Sequence, residues 1–276
     1  MSKLSFRKMN GAGNDFVLID NLKGDVELTA SEVAGICDRR RGVGADGLIL
    51  VEPVPDHDFF MRFYNSDGTE AEMCGNGSRC AAAFAADLGL GARGGDETTV
   101  RFLTESGDID ATVSGSRVRM KMMDAVSMRL NVSVEVAQVP GVVHFMTVGT
   151  RHVVVMLNDV TELTGNDITG LGRSLRHDPA FGPQGANVNF ASVDASGRIR
   201  LRTYEKGVEA ETYACGTGSI AASVLYAQTG GPETPRTVIQ RSGDELLVSF
   251  VLCADGANNV MLDGPVAVNF DGTIAL

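Results

Sequence analysis

Tryptophan is absent from this 276-residue chain, aromatic residues make up only 6% of it, and 24 lysines and arginines stand against 35 aspartates and glutamates. At a formal net charge of −11 the chain repels a nucleic-acid backbone, and it has few ring faces on which bases could stack. Its one dense cationic run, Arg39-Arg40-Arg41, reads as a solvated helix end. No stretch approaches the ~20 apolar residues a helix needs to cross a bilayer. Met1 to Asn14 lacks the apolar core of a signal segment. The expectation is a cytoplasmic protein with neither nucleic acid nor membrane as partner. Cysteine is also sparse: Cys37, Cys74, Cys80, Cys215 and Cys253 form no short-range framework, which argues against a disulfide-stapled secreted domain. No Cys or His pair near Cys74 and Cys80 completes a zinc tetrad, so no metal is expected. Cys37, Cys80 and Cys253 read as small buried apolar side chains.

What the chain does contain is short apolar runs bounded by Gly, Asp and Asn. Phe16 to Asp20, Leu48 to Val51, Val118 to Met122, Val153 to Leu157 and Leu246 to Leu252 read as strands. Thr29 to Arg39 reads as an N-capped helix, with Ser31 and Glu32 near its start. Ser78 to Leu88 and Ser219 to Gln228 are apolar or small nearly all round, the pattern of helices inside a core. Gly89 to Asp96 reads as a surface loop.

The entrances of those two apolar helices match. One reads Glu70-Ala-Glu-Met-Cys74-Gly-Asn-Gly-Ser78, the other Glu209-Ala-Glu-Thr-Tyr-Ala-Cys215-Gly-Thr-Gly-Ser219. Recurrence of Cys-Gly-x-Gly-Ser near half the chain length suggests two domains of like fold. The expected class is α+β: two pseudo-symmetric domains, each a strand-rich, barrel-like sheet wrapped around a central apolar helix. The boundaries fall at 1–116, with 265–276 returning, and 117–264.

A cysteine just before a helix lies where unbonded first-turn N–H groups and the helix dipole favour negative charge, so its thiol is partly thiolate. The adjacent glycines allow close approach of a bound group, and the same N–H groups can hold a carboxylate. One such cysteine suggests a nucleophile or a redox centre. Two, related by an internal repeat, suggest opposed thiols acting on one carbon, a thiolate removing a proton from one face and a thiol delivering one to the other. A pyridoxal cofactor would need a Schiff-base lysine in a phosphate cradle; Lys3, Lys8, Lys23, Lys121 and Lys206 are the only lysines, and none has that setting. No cofactor is expected.

Across nearly its whole length the chain resembles the diaminopimelate epimerase family. Lys8-Met-Asn-Gly-Ala-Gly-Asn14-Asp-Phe, Gly42-Val-Gly-Ala-Asp-Gly-Leu-Ile and Phe63-Tyr-Asn65 through Cys74-Gly-Asn-Gly-Ser-Arg-Cys carry the likeness in the first half. Asn187-Val-Asn-Phe and Tyr204-Glu205-Lys-Gly through Cys215-Gly-Thr-Gly carry it in the second. The resemblance implies an isomerase that interconverts L,L- and meso-diaminopimelate without pyridoxal phosphate, with a homodimer expected. By resemblance Cys74 and Cys215 are the acid–base pair, supported by His152 and Glu205. Gly75, Asn76, Gly216 and Thr217 donate to the reacting carboxylate, while Asn14, Asn65, Asn187 and Glu205 hold substrate amino and carboxylate groups. Lys206 stands where the family commonly has arginine, keeping the charge but losing the two-pronged grip on a carboxylate. Gly47 replaces a polar side chain found in some members, and Thr150-Arg151 replaces an Asn-Pro pair.

Other classes compete. Gly42-Val-Gly-Ala-Asp-Gly fits a dinucleotide-binding fingerprint, but it follows a helix and leads into a strand, the reverse of the required order. A non-catalytic binding module would not need both cysteines. A racemase of another amino acid on the same scaffold is the nearest alternative.

Overall fold

Near-continuous burial along Phe16–Ile19 and Leu48–Val51, against strict alternation along Glu97–Thr104, separates strands covered on both faces from strands with one face in water. The computed structural model describes residues 3–232 and 235–275, and the chain falls into two units. The first runs to Met120 and resumes at Gly264; the second is Lys121–Asp263.

In the first unit the order is β1 (Lys3–Gly11), β2 (Asn14–Asp20), α1 (Ala30–Cys37), β3 (Gly47–Glu52), β4 (Phe59–Asn65), β5 (Glu70–Ala71), α2 (Gly75–Asp87), β6 (Ala92–Gly94), β7 (Glu97–Thr104), β8 (Gly107–Ser114) and β9 (Arg117–Lys121). Thr29 caps α1 reciprocally with Glu32, which satisfies two otherwise unbonded donors at the helix start. Neighbouring strands pair antiparallel except β2 with β3 and β4 with β7, which run parallel. A parallel pair requires a crossover, and α1 and α2 supply the two. α2 is buried from Asn76 to Ala86 and packs on β1, β2, β3, β4, β7 and β8.

The second unit repeats this plan. It contains β10 (Ala125–Arg129), β11 (Val142–Val148), β12 (Thr150–Met156), α3 (Gly165–Arg176), β13 (Asn187–Val193), β14 (Ile199–Glu205), β15 (Ala210–Thr212), α4 (Gly216–Gln228), β16 (Arg236–Ile239), β17 (Glu245–Cys253) and β18 (Gly256–Pro265). A last strand, β19 (Ala267–Ala275), returns to pair antiparallel with β1. Here β12 with β13 and β14 with β16 are the parallel pairs, bridged by α3 and α4. The succession β10-β11-β12-β13-β14-β16-β17-β18 closes on itself where Ala125 faces Ala257, an eight-stranded barrel. A barrel of that size has room inside for side chains. α4 is buried from Gly218 to Leu225, and five of those eight residues are small: Gly218, Ser219, Ala221, Ala222 and Ser223.

Strand register fixes how the halves correspond. Leu48 faces Tyr64 and Val188 faces Tyr204, while Tyr64 faces Glu70 and Tyr204 faces Glu211. Glu70 therefore corresponds to Glu211, not to Glu209, and the shared Glu-Ala-Glu lettering is out of register by two residues. The second hairpin is one residue longer, and Glu209, at φ 57, sits in its turn.

The expected fold class holds, with local differences. α2 and α4 begin at Gly75 and Gly216, three residues before the serines, because each cysteine is the cap. α3 was not anticipated, and Gly89–Asp96 contains β6. Cys37 and Cys80 are buried, with thiols pushed up by burial to about 11 and about 12. Cys253 is exposed, against expectation: it ends β17 at the turn where it faces Gly256.

Candidate active site

Each half builds a cysteine into a helix entrance. Cys74 caps α2 at φ −135°, ψ 119°, and Cys215 caps α4 at φ −135°, ψ 106°. Extended backbone at the cap turns the chain from β5 or β15 into the helix and leaves the cysteine side chain at the mouth of the first turn. Ser78 N–H bonds the Cys74 carbonyl at 2.7 Å, and Ser219 N–H the Cys215 carbonyl at 3.0 Å. The N–H groups of Gly75, Asn76, Gly216 and Thr217 precede those first helical bonds, so they have no acceptor within their helix.

In the first half the structure brings Cys74, Asn14 and Asn76 together. The Cys74 Sγ lies 3.6 Å from Asn14 Oδ1, which also accepts from Asn76 Nδ2 at 3.2 Å. The opposite face of the Asn14 amide is committed, since its Nδ2 donates to Asp46 Oδ2 at 2.7 Å. Asp46 is in turn held by Arg39 at 2.7 Å, and Arg39 grips Asp15 through two bonds of 2.7 and 3.0 Å. Lys8, buried, meets Asp15 at 2.6 Å. Burial alone would raise the Asp15 carboxyl; bonds and charge from Arg39 and Lys8 outweigh it and hold the group well below the usual carboxylate range. Arg39 is thus the anchor of a charge network rather than part of a plain solvated helix end. Asn65, opposite Gly47 in the strands, is exposed and turns its amide to Thr69 Oγ1 at 3.1 Å. Gly47 has no room for a side chain: a Cβ would meet the Phe63 ring and the Tyr64 carbonyl, each at 2.6 Å.

In the second half a chain of buried contacts joins His152 to Cys215. The Asn189 amide donates to the Val153 carbonyl at 2.9 Å and to His152 Nδ1 at 3.1 Å, and it accepts from Thr203 Oγ1 at 2.9 Å. With Nδ1 accepting, the proton of the neutral ring sits on Nε2, which has no partner among the described residues. Burial lowers the His152 pKa to about 3, so the ring is neutral across the physiological range. Gly218 lies directly against Asn189, where a Cβ would stand 2.2 Å from Oδ1. Its N–H points at Cys215 Sγ at 3.4 Å, and Thr217 Oγ1 lies 3.7 Å from the same sulfur. Asn187 is buried and accepts the Lys206 backbone N–H at 2.8 Å. Glu205 is half-buried, and burial pushes its carboxyl up. The Lys206 side chain is exposed.

Sequence reasoning passed over Asp46, Asn189 and Gln240. Asp46 and Asn189 lay inside the quoted motifs Gly42-Val-Gly-Ala-Asp and Asn187-Val-Asn, so a signal existed. Gln240, whose Oε1 accepts the Cys215 N–H at 3.0 Å, sits in a turn with no motif around it.

The family model described as diaminopimelate epimerase matches residues 6–128 and 144–268. A diaminopimelate epimerase of Chlorobaculum tepidum is 37% identical over 97% of this chain and 100% of its own length. One of Aquifex aeolicus is also 37% identical, over 99% of this chain and 98% of its own. Among solved structures, a phenazine biosynthesis protein of the PhzF family from Bacillus anthracis has a TM-score of 0.74 at 15% identity, covering 100% of both chains. A probable proline racemase from Agrobacterium radiobacter has a TM-score of 0.71 at 19% identity, over 99% of this chain and 93% of that one.

Proposed function

The chain belongs to the diaminopimelate epimerase family, and from that premise we propose that Cys74 and Cys215 invert one α-carbon of diaminopimelate, interconverting its L,L and meso forms. The observation that carries this reading is the repeated placement of a cysteine as the cap of a buried helix, with the same φ of −135°, in both halves.

The chemistry is a proton exchange. The thiolate sulfur forms an S–H bond with the α-proton as the C–H bond breaks, and the electron pair delocalises into the α-carboxylate. The other thiol gives its proton to the opposite face of the same carbon and becomes the thiolate, so the pair ends with its protonation reversed and the same two groups run the reverse reaction. The enolate-like charge is the costly feature. First-turn N–H groups at Gly75, Asn76, Gly216 and Thr217 are the donors this reading assigns to the α-carboxylate, to stabilise that charge. Asn14 donates from its nitrogen to Asp46 and turns its oxygen toward Cys74, so that oxygen suits the substrate ammonium. Asn65, Asn187 and Glu205 complete the grip on amino and carboxylate groups, and Lys206 meets the distal carboxylate. His152, neutral with its proton on Nε2, and Glu205, raised by burial, support the thiols.

None of these roles uses pyridoxal phosphate or a metal, and the reaction serves lysine and cell-wall precursor synthesis. A cytoplasmic location and a homodimer complete the proposal; among the described residues no helix is long and apolar enough to cross a membrane. Sedimentation of the purified chain checks the dimer.

The test is proton NMR of L,L-diaminopimelate with the purified chain in deuterated water, without pyridoxal phosphate. Loss of the α-proton signal with appearance of the meso isomer is expected. Cys74→Ala and Cys215→Ala each lose about 10²–10⁴-fold, the usual contribution of a positioned acid or base. Full activity in Cys215→Ala would end the two-thiol mechanism. Absence of exchange with folded, reduced protein would point to a different amino acid as substrate.

A further inference from the structure

We infer that Gln240 is a positioning residue for Cys215, fixing the peptide that carries this thiol. The inference rests on the reading of Cys215 as one of the two acid–base groups. Gln240 is buried at 4% exposure and directly follows β16. Its Oε1 accepts the Cys215 N–H at 3.0 Å, and its Nε2 donates to Ser219 Oγ at 2.9 Å. Ser219 Oγ then donates to the Cys215 carbonyl at 2.8 Å. The circuit admits only one amide orientation, because the Cys215 N–H demands an acceptor and leaves the NH₂ for the serine. Gln240 itself is braced by its own turn, its N–H bonding the Asp244 carbonyl at 2.9 Å.

This circuit holds Cys215 on both sides of its Cα, the N–H directly and the carbonyl through Ser219. Rotation about either backbone torsion would break a buried bond, so the Cα–Cβ direction is held, and from it the Sγ meets the Gly218 N–H at 3.4 Å. The first half has the corresponding strand, followed by a turn one residue shorter, without this device. Register places Thr104 where Gln240 stands, since Phe59 faces Phe102 and Ile199 faces Val238. Thr104 spends its hydroxyl on the Gly107 carbonyl of its own hairpin at 2.9 Å. Ser78, the counterpart of Ser219, turns its hydroxyl to Met61 Sδ at 3.6 Å. The clamp is therefore an addition of the second half and not a by-product of the shared fold.

The test is residue-resolved alkylation of the full chain with iodoacetamide, read by peptide mass spectrometry, with exposed Cys253 as internal reference. Gln240→Met keeps the length of the side chain and removes both bonds. It lowers the Cys215 rate about tenfold or more relative to Cys253, leaves Cys74 unchanged, and lowers kcat with little change in KM. Gln240→Glu makes both bonds while protonated; once ionised, it sets a carboxylate beside Cys215 and moves the Cys215 alkylation midpoint to higher pH. A purely structural glutamine would lower the melting temperature of both variants and leave the Cys215 rate and its pH midpoint as in the native chain, and that result overturns the inference. The readout needs no turnover. Full activity in Cys215→Ala would therefore remove the proposed function, while the alkylation profile would still decide whether Gln240 sets this thiol.

Discussion

Alanine at Gly218 and alanine at Gly77 are the same change at equivalent positions of two equivalent helices, and the structure predicts opposite outcomes. On helix propensity alone each gains up to about 1 kcal/mol. A Cβ at Gly77 would meet Ile49 Cδ1 at 3.1 Å and Met61 Cε at 3.4 Å, both ends of flexible apolar side chains. They give way by a few tenths of an ångström, and stability stays within about 1 kcal/mol of the native chain. A Cβ at Gly218 would stand 2.2 Å from Asn189 Oδ1, so the amide must retreat by roughly 1 Å. That amide makes its bonds to His152, Val153 and Thr203 entirely inside the barrel, and the retreat strains or breaks all three. Buried polar groups left unmade cost about 1–3 kcal/mol each. Setting partial relaxation and the propensity gain against this leaves about 3 kcal/mol of destabilisation, or a melting point lower by about 6–12 °C. Calorimetry of the two variants reads the difference directly. The double variant Gly218→Ala with Asn189→Ala isolates the cause, because removing the amide removes the 2.2 Å clash and leaves the milder 3.1 Å approach to Cys215 Sγ, so the two costs become strongly non-additive. If Gly218→Ala melts with Gly77→Ala, or the double variant is simply additive, the close packing of Gly218 on Asn189 is not what holds His152.

Stability should fall on acidification through a histidine that the fold keeps neutral. His152 has its pKa lowered to about 3 by burial, against about 6.5 unfolded, so between these values the unfolded chain binds a proton that the fold refuses. The contribution vanishes above pH 7 and grows at about 1.4 kcal/mol per pH unit below 6.5, so urea unfolding at pH 7 and pH 5 should differ by about 2 kcal/mol from this residue. His144, also lowered by burial, acts in the same direction, so His152→Gln flattens the dependence without abolishing it; an unchanged slope would refute the assignment. At the substrate end, Lys206→Met should raise KM for diaminopimelate about tenfold with little effect on kcat, and Lys206→Arg should not. Equal KM in all three forms would remove the distal carboxylate from Lys206.

How much of this was legible beforehand depended on whether a residue's partners were local. The capping of α1 could be read because Thr29 and Glu32 lie three apart and bond each other. The cysteine motif could be read because its repetition is a property of the letters. α3 was missed although Thr164 and Asp167 form the same capping box, because Gly165, Gly170 and Gly172 within it suggest a loop. Gly172 is needed there: a Cβ would strike the Tyr204 side chain at 2.5 Å. Cys253 looked like core by residue type, but its place at the end of β17 exposes it. Arg39 looked like surface, and its partners Asp15 and Asp46 are brought to it by the β2–α1–β3 crossover. Gln240 was invisible for the same reason, since it stands 25 residues from the peptide it clamps.

The register between the halves also indicates what the duplication retained. Phe16 corresponds to His152, Gly47 to Asn187 and Asn65 to Glu205, while Cys74 corresponds to Cys215. Like residues persist at the two sulfurs and the helix starts behind them, where the proposed chemistry needs like groups, and in the strand framework, where Tyr64 matches Tyr204 and Glu70 matches Glu211. A proton transfer that must run in both directions calls for an acid and a base of the same kind. Recognition has the opposite requirement. The α-carbon carries an ammonium, a carboxylate and a side chain, and no repeated set of partners can be complementary to all three at once. A neutral histidine, a glutamate raised by burial and an asparagine whose oxygen is turned toward Cys74 are three different answers, placed at positions where the scaffold alone would have supplied matching pairs. In the proposed reaction the unlike residues answer to the substrate as the two cysteines answer to the proton transfer.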